Sequence, residues 1–452
     1  MTDKIYVVTD LGPGDGGKGG VVHKVCKMTK AHTVVKVGGA QGSHGVCTSR
    51  GERFAFSQWG CGTFEGIKTY LSPRMVISPE GILNEADALR YQCGVHNAFD
   101  LLIVDSMALC ATPYHGIASR LKELARGKNP RGTIGTGVGE AHRCMYDFPE
   151  LAIWAGELAS PCIKEQLAEV REQIRFDLQE IIHGEFLKDD RDLVNEEAGL
   201  LNNEDFLDFV ARRFCEVSQR VKIVDLDYLQ REVFPKDGVV VVESSHGVLT
   251  DRSYGFYPHT SALRTLPCFT HAMLKDAGYS GQIVNLGVTR AYTIRHGAGP
   301  MPTAAPEMAE SLLPGSNKDK NRYQGKVRVG PLDLILLKYA IEVCGGPSAF
   351  DGLAITWFDQ IQTNGVWHLC NRYLNSDQIC VWREKFGDHQ KYQEALGKQL
   401  FCCEPEIRRI EIAKTASRSE LFSLCADTLQ CELDVLVRMV GFGCTELDKV
   451  CR

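Results

Sequence analysis

The chain has 452 residues, 44% of them hydrophobic and 24% charged, with a formal net charge of −6. That length supplies core enough for a large α/β enzyme, and the acidic balance, without any clustered Lys or Arg run, speaks against a non-specific nucleic-acid binder. No apolar stretch approaches the roughly 18 residues of a membrane span, and the polar start Met1-Thr2-Asp3-Lys4 is no signal peptide, so the expectation is a cytoplasmic protein without membrane contact.

The first predicted elements follow in close succession. A β-branched run, Tyr6-Val7-Val8-Thr9, enters Asp10-Leu11-Gly12-Pro13-Gly14-Asp15-Gly16-Gly17-Lys18-Gly19-Gly20, after which Val21-Val22-His23-Lys24-Val25 resumes with helical spacing. Strand, glycine turn and helix in this order form a phosphate loop: glycines let backbone N–H groups converge on an anion, the helix N-terminus adds its positive end, and Lys18 reaches terminal phosphates. The spacing Gly12-x4-Gly17-Lys18 fits the nucleotide-binding pattern, but the next residue is Gly19 where a magnesium-ligating Ser or Thr is usual. The metal then needs another oxygen, and Asp15 inside the loop is the candidate. A carboxylate among phosphates repels them unless it holds a metal or takes a proton, so Asp15 suggests chemistry as well as binding. A glycine-rich turn without ligand is the competing reading of this loop by itself.

A second strand, Thr33 to Val37, runs into Gly38-Gly39-Ala40-Gln41-Gly42-Ser43-His44-Gly45, a second glycine-rich strand end in which His44 is the ionisable residue. Strands Arg74 to Ser78 and Leu101 to Asp105, with a helical pattern from Asn84 to Tyr91 between them, favour a parallel sheet covered by helices. A third Gly/Thr loop spans Arg131 to Glu140. Residues from about 151 to 235 read as a helical insertion with a solvated acidic turn at Lys188-Asp189-Asp190-Arg191-Asp192. The sheet resumes at Gly238 to Glu243, ending in Ser244-Ser245-His246-Gly247, and continues with Ile283 to Gly287 and Tyr292 to Thr303. A polar, basic loop from Asn317 to Arg328 offers cations for carboxylates. The strand Gly352 to Thr356 leads to Trp357-Phe358-Asp359, where two carboxylate oxygens suit a guanine's N1–H and N2–H. No linker or repeat divides the chain, so one domain over 1–452 is the economical organisation. Eighteen cysteines between Cys26 and Cys451 show no Cys-x-x-Cys pair and read as reduced, mostly buried thiols, with Cys402-Cys403 adjacent.

In this order the motifs resemble those of the adenylosuccinate synthetase family over nearly the whole length. Gly14-Asp15-Gly16-Gly17-Lys18-Gly19 is similar to its Gly-Asp-Glu-Gly-Lys-Gly loop, and Gly38-Gly39 with His44 to its Gly-Gly-His-Asn-Ala-Gly-His. Gly132-Thr133-Ile134-Gly135 resembles Gly-Thr-Thr-Gly, Glu243 to Gly247 resembles Glu-Gly-Ala-Gln-Gly, and Asp251, Gly255 and Tyr257-Pro258 fit Asp-x-x-x-Gly-x-Tyr-Pro. The nearest likeness is Tyr292-Thr293-x-Arg295-x-Gly297-Ala298-Gly299-Pro300-x-Pro302-Thr303, and Thr356-Trp357-Phe358-Asp359 stands where the family has Thr-Lys-Leu-Asp.

The resemblance implies an α/β fold with a mostly parallel central sheet, a phosphate-loop-like nucleotide site and helical elaborations. It implies a homodimeric ligase that uses GTP and magnesium to join L-aspartate to a purine monophosphate, most simply inosine monophosphate. By carry-over, Asp15 is general base and magnesium ligand with Ser43 beside it, His44 steadies the migrating phosphoryl group, and Lys18 clamps phosphate. Gly14, Gly16, Gly17, Lys18, Gly19, Asp359 and Gly443 would border the donor nucleotide, GTP being favoured over ATP by Asp359. Gln41, Thr133, Ile134, His246, Ser261, Lys326 and Arg328 would face the substrates.

The departures concern those substrates. Ile134 and Thr136 replace a threonine and an arginine of the third loop, Gln41 and His246 replace Asn and Gln, and Trp357 replaces a lysine that packs on the donor base. Tyr323-Gln324-Gly325-Lys326-Val327-Arg328 lacks the threonines of the aspartate loop. The arginine that reaches the partner's phosphate aligns near Phe148, with Arg143 off register. A branch of the family acts on deoxyguanylate and tends to replace the loop aspartate by a small hydroxyl residue; Asp15 is retained here. A deoxyguanylate-directed enzyme, a catalytically silent nucleotide-binding regulator and an unrelated phosphate-loop NTPase are the alternatives.

Overall fold

The computed structural model describes residues 1–186, 188–314, 321–376 and 389–452. Its centre is an eleven-stranded sheet. The strands are β1 (Thr2–Asp10), β2 (Thr33–Gly39), β3 (Lys68–Ile77), β4 (Leu102–Asp105), β5 (Lys222–Val224), β6 (Gly238–Gly247), β7 (Gln282–Arg290), β8 (Gly352–Thr356), β9 (Val437–Gly441) and β10 (Lys449–Cys451), with the short Leu109–Cys110 strand beside β3. Their order is β10-β9-β8-β7-β1-β6-β2-β3-β4-β5. Every pairing is parallel except β9 with β10 at one edge.

Both faces of these strands are buried, which is why they read as near-continuous apolar runs. Ile5 and Val7 pack with Val35, Val240 and Val242 on one face, whereas Val8, Val34 and Val241 meet Val21, Val22 and Val25 of α1 (Lys18–Thr29) on the other. The chain winds outward from β1 through β2 to β5, returns to flank β1 with β6 and β7, and winds out the other way. β1 therefore sits at the reversal of strand order, where open α/β sheets collect ligands at strand carboxyl ends.

The helix predicted from Asn84 extends over Pro79–Cys93, because Ser78 caps it by accepting from the Gly81 N–H at 3.1 Å and Gly94 closes it with a left-handed φ of 69°. Helices Ile163–His183, Lys188–Leu201 and Glu204–Arg220 occupy most of the 151–235 stretch, with Leu167, Val170, Ile174 and Leu178 meeting Leu207, Val210, Phe214 and Val217. That stretch also supplies β5, too short to register as a strand in sequence. The acidic run at 188–192 opens a helix and is not a turn, in keeping with the affinity of carboxylates for helix N-termini. Of the basic loop 317–328, residues 317–320 lie outside the described residues, as do 377–388.

All described cysteines are free, but fewer are buried than expected: Cys26, Cys61, Cys110, Cys144, Cys370 and Cys425 are, while Cys162, Cys268, Cys402, Cys431, Cys444 and Cys451 are exposed. A reduced thiol is small and only weakly polar, so neither setting costs it much. Among the described residues no helix is long and apolar enough to cross a membrane.

One packing contact bears directly on the loop residues. A Cβ at Gly19, in the first turn of α1, would lie 2.5 Å from the Gly45 carbonyl oxygen, so the helix abuts the backbone next to His44. A Ser or Thr cannot occupy position 19 without pushing that segment away. Gly19→Ala is expected to lower stability by about 1–3 kcal/mol in urea denaturation. Gly45→Ala, whose added Cβ meets nothing within 4 Å, should change it by less than about 0.5 kcal/mol; equal effects would refute the close approach.

Candidate active site

Asp10, the last residue of β1, organises the first loop. Its carboxylate is fully buried and accepts from the N–H groups of Gly12 (2.9 Å) and Gly16 (2.8 Å) and from the Lys18 ammonium (3.0 Å). Lys18 also donates to the His246 carbonyl at 2.5 Å and is only 3% exposed. The Thr356 hydroxyl, at the end of β8, donates to the Gly16 carbonyl at 2.7 Å, and a Cβ on Gly17, whose φ is 87°, would strike that threonine. The loop is thus bound to β1, β6 and β8 at once. Sequence reading selected Lys18 and the glycines but passed over Asp10; its signal is an acid closing an otherwise apolar strand.

His44 opens a short strand, His44–Cys47, that follows β2. It is buried, and its Nδ1 lies 2.6 Å from Glu243 Oε1 on β6. Lys36, in the middle of β2 and 1% exposed, places its ammonium 3.2 Å from the same oxygen and donates to the carbonyls of Ser57 (2.8 Å) and Trp59 (3.2 Å). The Cys61 N–H donates to Glu243 Oε2 at 2.8 Å. Burial alone would raise the Glu243 carboxyl, yet the Lys36 ammonium and the His44 hydrogen bond hold it well below the usual carboxylate range. Burial, reinforced by Lys18 and Lys36, lowers the His44 pKa against the pull of Glu243, which favours the neutral ring with its Nδ1 toward Glu243. His44, Cys61 and Glu243 stand close enough together to suggest a metal site, but the Lys36 ammonium already supplies the positive charge there. A lysine inside the run Val34-Val35-Lys36-Val37 was the overlooked signal, since a charge in a doubly buried strand requires a partner.

Asp15 has a φ of 58°, and its Oδ2 lies 2.9 Å from His296 Nε2. Its carbonyl accepts from Arg290 Nε at 2.6 Å. The Arg290 guanidinium stacks 4.5 Å above the Trp357 ring, so one face of the tryptophan expected to meet a base is covered by the protein. Asp359 sits in the first turn of the helix Phe358–Asn364 and accepts from the Gln360 side chain at 2.8 Å. Gly443 lies beyond β9, packed so that a Cβ would be 2.7 Å from the Asp448 carboxyl group. Asp15, Lys18, His44, Asp359 and Gly443 follow the carboxyl ends of parallel strands, and His246 is the last but one residue of β6.

The remaining predicted residues divide. Gln41 Nε2 and His246 Nε2 are 2.7 Å apart, joining the two departures from the family pattern, and burial with Lys18 nearby lowers the His246 pKa to about 4. The Thr133 hydroxyl is 3.0 Å from the Ser119 hydroxyl and accepts from the Gly135 N–H at 3.2 Å. Ile134 is half-buried, and its carbonyl accepts from Asn321 at 3.2 Å. Ser261 accepts from the Leu263 N–H at 3.1 Å, and Ser43 is exposed directly before His44. Arg328 Nη2 donates to the carbonyls of Gly297 (2.6 Å) and Gly299 (2.5 Å), while Lys326 is exposed. Arg143 is engaged by Glu140 (3.0 Å), Asp147 (3.3 Å) and Asp177 (2.8 Å) of its own chain.

Near Arg328, sequence reading missed a group of buried donors. Arg295 donates to the His259 carbonyl at 3.2 Å, but its Nε, His259 Nδ1 and the Thr303 hydroxyl have no partner. Burial and the neighbouring Arg328 bring Arg295 down to about 9, and burial with Arg295, Arg328 and Arg131 brings His259 down to about 4. The guanidinium groups of Arg295 and Arg328, with an unpartnered Nε on Arg295, suit a carboxylate or phosphate.

Residues 7–410 match the family model described as adenylosuccinate synthetase. Similar proteins include the adenylosuccinate synthetase of Clostridium perfringens, 25% identical over 413 residues, covering 90% of this chain and 87% of the relative. That of Neisseria gonorrhoeae is 27% identical over 377 residues, 82% of this chain and 80% of the relative. Among solved structures, fully ligated adenylosuccinate synthetase from Plasmodium falciparum superposes with a TM-score of 0.76 at 16% identity over 99% of each chain. The succinoaminodeoxyadenylate synthetase of cyanophage S-2L, bound to dGMP and dATP as an energy donor, gives 0.58 at 15% identity over 100% of this chain and 96% of that one. These two share the fold, an α/β architecture around a large, mostly parallel sheet. Since the family match spans all but the first strand's opening residues and the last 42 (452 − 410) positions, the chain belongs to the adenylosuccinate synthetase family of ligases, which form a carbon–nitrogen bond.

Proposed function

We propose that the protein joins L-aspartate to C6 of inosine monophosphate at the expense of GTP, giving adenylosuccinate through a 6-phosphoryl intermediate. The observation that carries this reading is that Asp15, on the loop after β1, and His44, whose Nδ1 lies 2.6 Å from Glu243, both follow the carboxyl ends of parallel strands of the same sheet. In this chemistry Asp15 accepts the purine N1 proton while O6 attacks the γ-phosphorus of the donor. The aspartate amine then displaces the 6-phosphoryl group as phosphate. His44 Nε2 meets the migrating phosphoryl group, whose negative charge favours the ring proton that burial disfavours. Lys18 and the loop N–H groups neutralise and orient the phosphates, which is most of what phosphoryl transfer requires of a protein.

A carboxylate on the loop together with substrate phosphates is the hard-oxygen donor set magnesium prefers. Asp15 and Ser43 would hold it, and when bound it offsets phosphate charge. Arg295, Arg328 and His259 would take the carboxylates of aspartate, with Lys326 at the rim. Asp359 supports guanine in the donor. A homodimer is part of the proposal, and Arg143, off register for the partner-reaching arginine, is ion-paired within its own chain.

A second reading, a deoxyguanylate substrate, is favoured by the Gln41 and His246 pair, which replaces the family's Asn and Gln at the substrate. Incubation with magnesium, aspartate and GTP or ATP against inosinate, deoxyinosinate, guanylate and deoxyguanylate, read by mass spectrometry, separates the two. Succinylated inosinate is the expected product; product from deoxyguanylate alone would replace the inosinate reading. Nucleotide binding without any product would leave a regulator.

Two substitutions test individual roles. Asp15→Asn should lower kcat by about 10²–10⁴-fold with an unchanged circular dichroism spectrum, and near-normal turnover would remove Asp15 as base. Asp359→Asn should reduce kcat/KM with GTP by about 1–3 kcal/mol more than with ATP. Parallel losses with both donors would sink its role in reading the base.

A further inference from the structure

His296 fills an unassigned position of the motif Tyr292-Thr293-x-Arg295-x-Gly297, so the family pattern gives it no role. Its backbone is fixed on both sides. The strand Thr293–Arg295 before it pairs with Arg328–Gly330, and Gly297 after it, with a φ of 72°, is packed so that a Cβ would lie 3.3 Å from the Gly132 Cα. The His296 side chain is 13% exposed and directs Nε2 to Asp15 Oδ2 at 2.9 Å, while Nδ1 is buried with no hydrogen-bond partner among the described residues. Asp15 therefore orients the ring. An ionised carboxylate can only accept, so the hydrogen of this contact belongs to Nε2. Asp15 is constrained in turn: its φ of 58° is in the left-handed region, and Arg290 Nε holds its carbonyl at 2.6 Å. Arg290 sets the backbone of Asp15 and His296 sets its carboxylate.

We propose that His296 is a specificity-determining residue that acts through Asp15, restricting the site to 6-oxopurines without a 2-amino group. The inference rests on the reading of Asp15 as the group that meets the purine N1–H. A guanine edge presents two adjacent donors, N1–H and N2–H, which a carboxylate takes with both oxygens together. A hypoxanthine edge presents N1–H alone. With Nε2–H directed at Oδ2, Asp15 cannot turn both oxygens to one base edge. A 2-amino group brought toward Oδ2 meets the imidazole in place of an acceptor and loses its hydrogen bond on leaving water. Retention of Asp15 would not by itself exclude guanine, since two carboxylate oxygens suit it. The histidine withdraws the second of them.

The test measures binding of inosinate and guanylate to the full chain by isothermal titration calorimetry, alongside His296→Ala, His296→Asn and His296→Gln, each checked for fold by circular dichroism. An unmade hydrogen bond at a buried donor corresponds to about 10–100-fold in affinity, and the unmodified chain is expected to prefer inosinate by that factor. Alanine, which lacks the donor, and asparagine, which is too short to reach Oδ2, should each reduce the preference to within about threefold, chiefly by tightening guanylate. Glutamine, whose amide N–H stands in for Nε2–H, should retain it. A merely structural role would weaken both nucleotides in proportion, and an unchanged ratio in the folded alanine or asparagine variant would overturn the proposal. Equal affinities in the unmodified chain, or a preference for guanylate, would overturn it as well. Binding does not require turnover, so selective binding without any ligation product would refute the ligase reading and leave the role of His296 standing. Succinylated inosinate with an unchanged ratio in the variants would refute the role of His296 alone.

Discussion

Asp10 accepts from two backbone N–H groups and a lysine ammonium while wholly removed from water. Such a carboxylate has no alternative partner, and the loop has no alternative shape that would satisfy it. The glycine at position 16 belongs to the same arrangement. A Cβ there would lie 2.8 Å from an Asp10 oxygen, so the glutamate that the family loop carries at this place and the buried Asp10 exclude one another. Asp10, in the strand before the loop, is thus the carboxylate that holds Lys18 on the loop floor.

A second buried charge system stands beside the first. Lys36 and Glu243 neutralise each other between β2 and β6, and His44 and Cys61 use the remaining capacity of the carboxylate. An ion pair so deep contributes little net stability, because desolvation offsets much of the attraction. Its consequence is directional: Nδ1 of His44 has one acceptor, so the orientation of the imidazole is fixed by Glu243. Preorganisation of this kind is what a reaction governed by charge placement requires.

The region facing the substrates has been rearranged more than the region facing the phosphates. Gln41 pairs with His246, Thr133 turns inward to Ser119, and Arg290 covers one face of Trp357. Unsatisfied donors on Arg295, His259 and Thr303 gather where the altered aspartate loop returns.

Much of this was legible in the amino-acid sequence. Apolar runs ending in glycine marked the parallel strands, because strands buried on both faces cannot alternate with polar residues, and the Gly-Asp-Gly-Gly-Lys loop and His44 marked the site, because close backbone approach to phosphate demands glycine. Local patterns could not reveal partners distant along the chain. That Lys36 meets Glu243, that Asp10 secures the loop and that His296 reaches Asp15 depend on which strands become neighbours, and strand order is a property of the whole sheet. Position 19 illustrates the division: the glycine is plain in sequence, but only the packing of α1 against the Gly45 carbonyl explains why no larger residue can stand there.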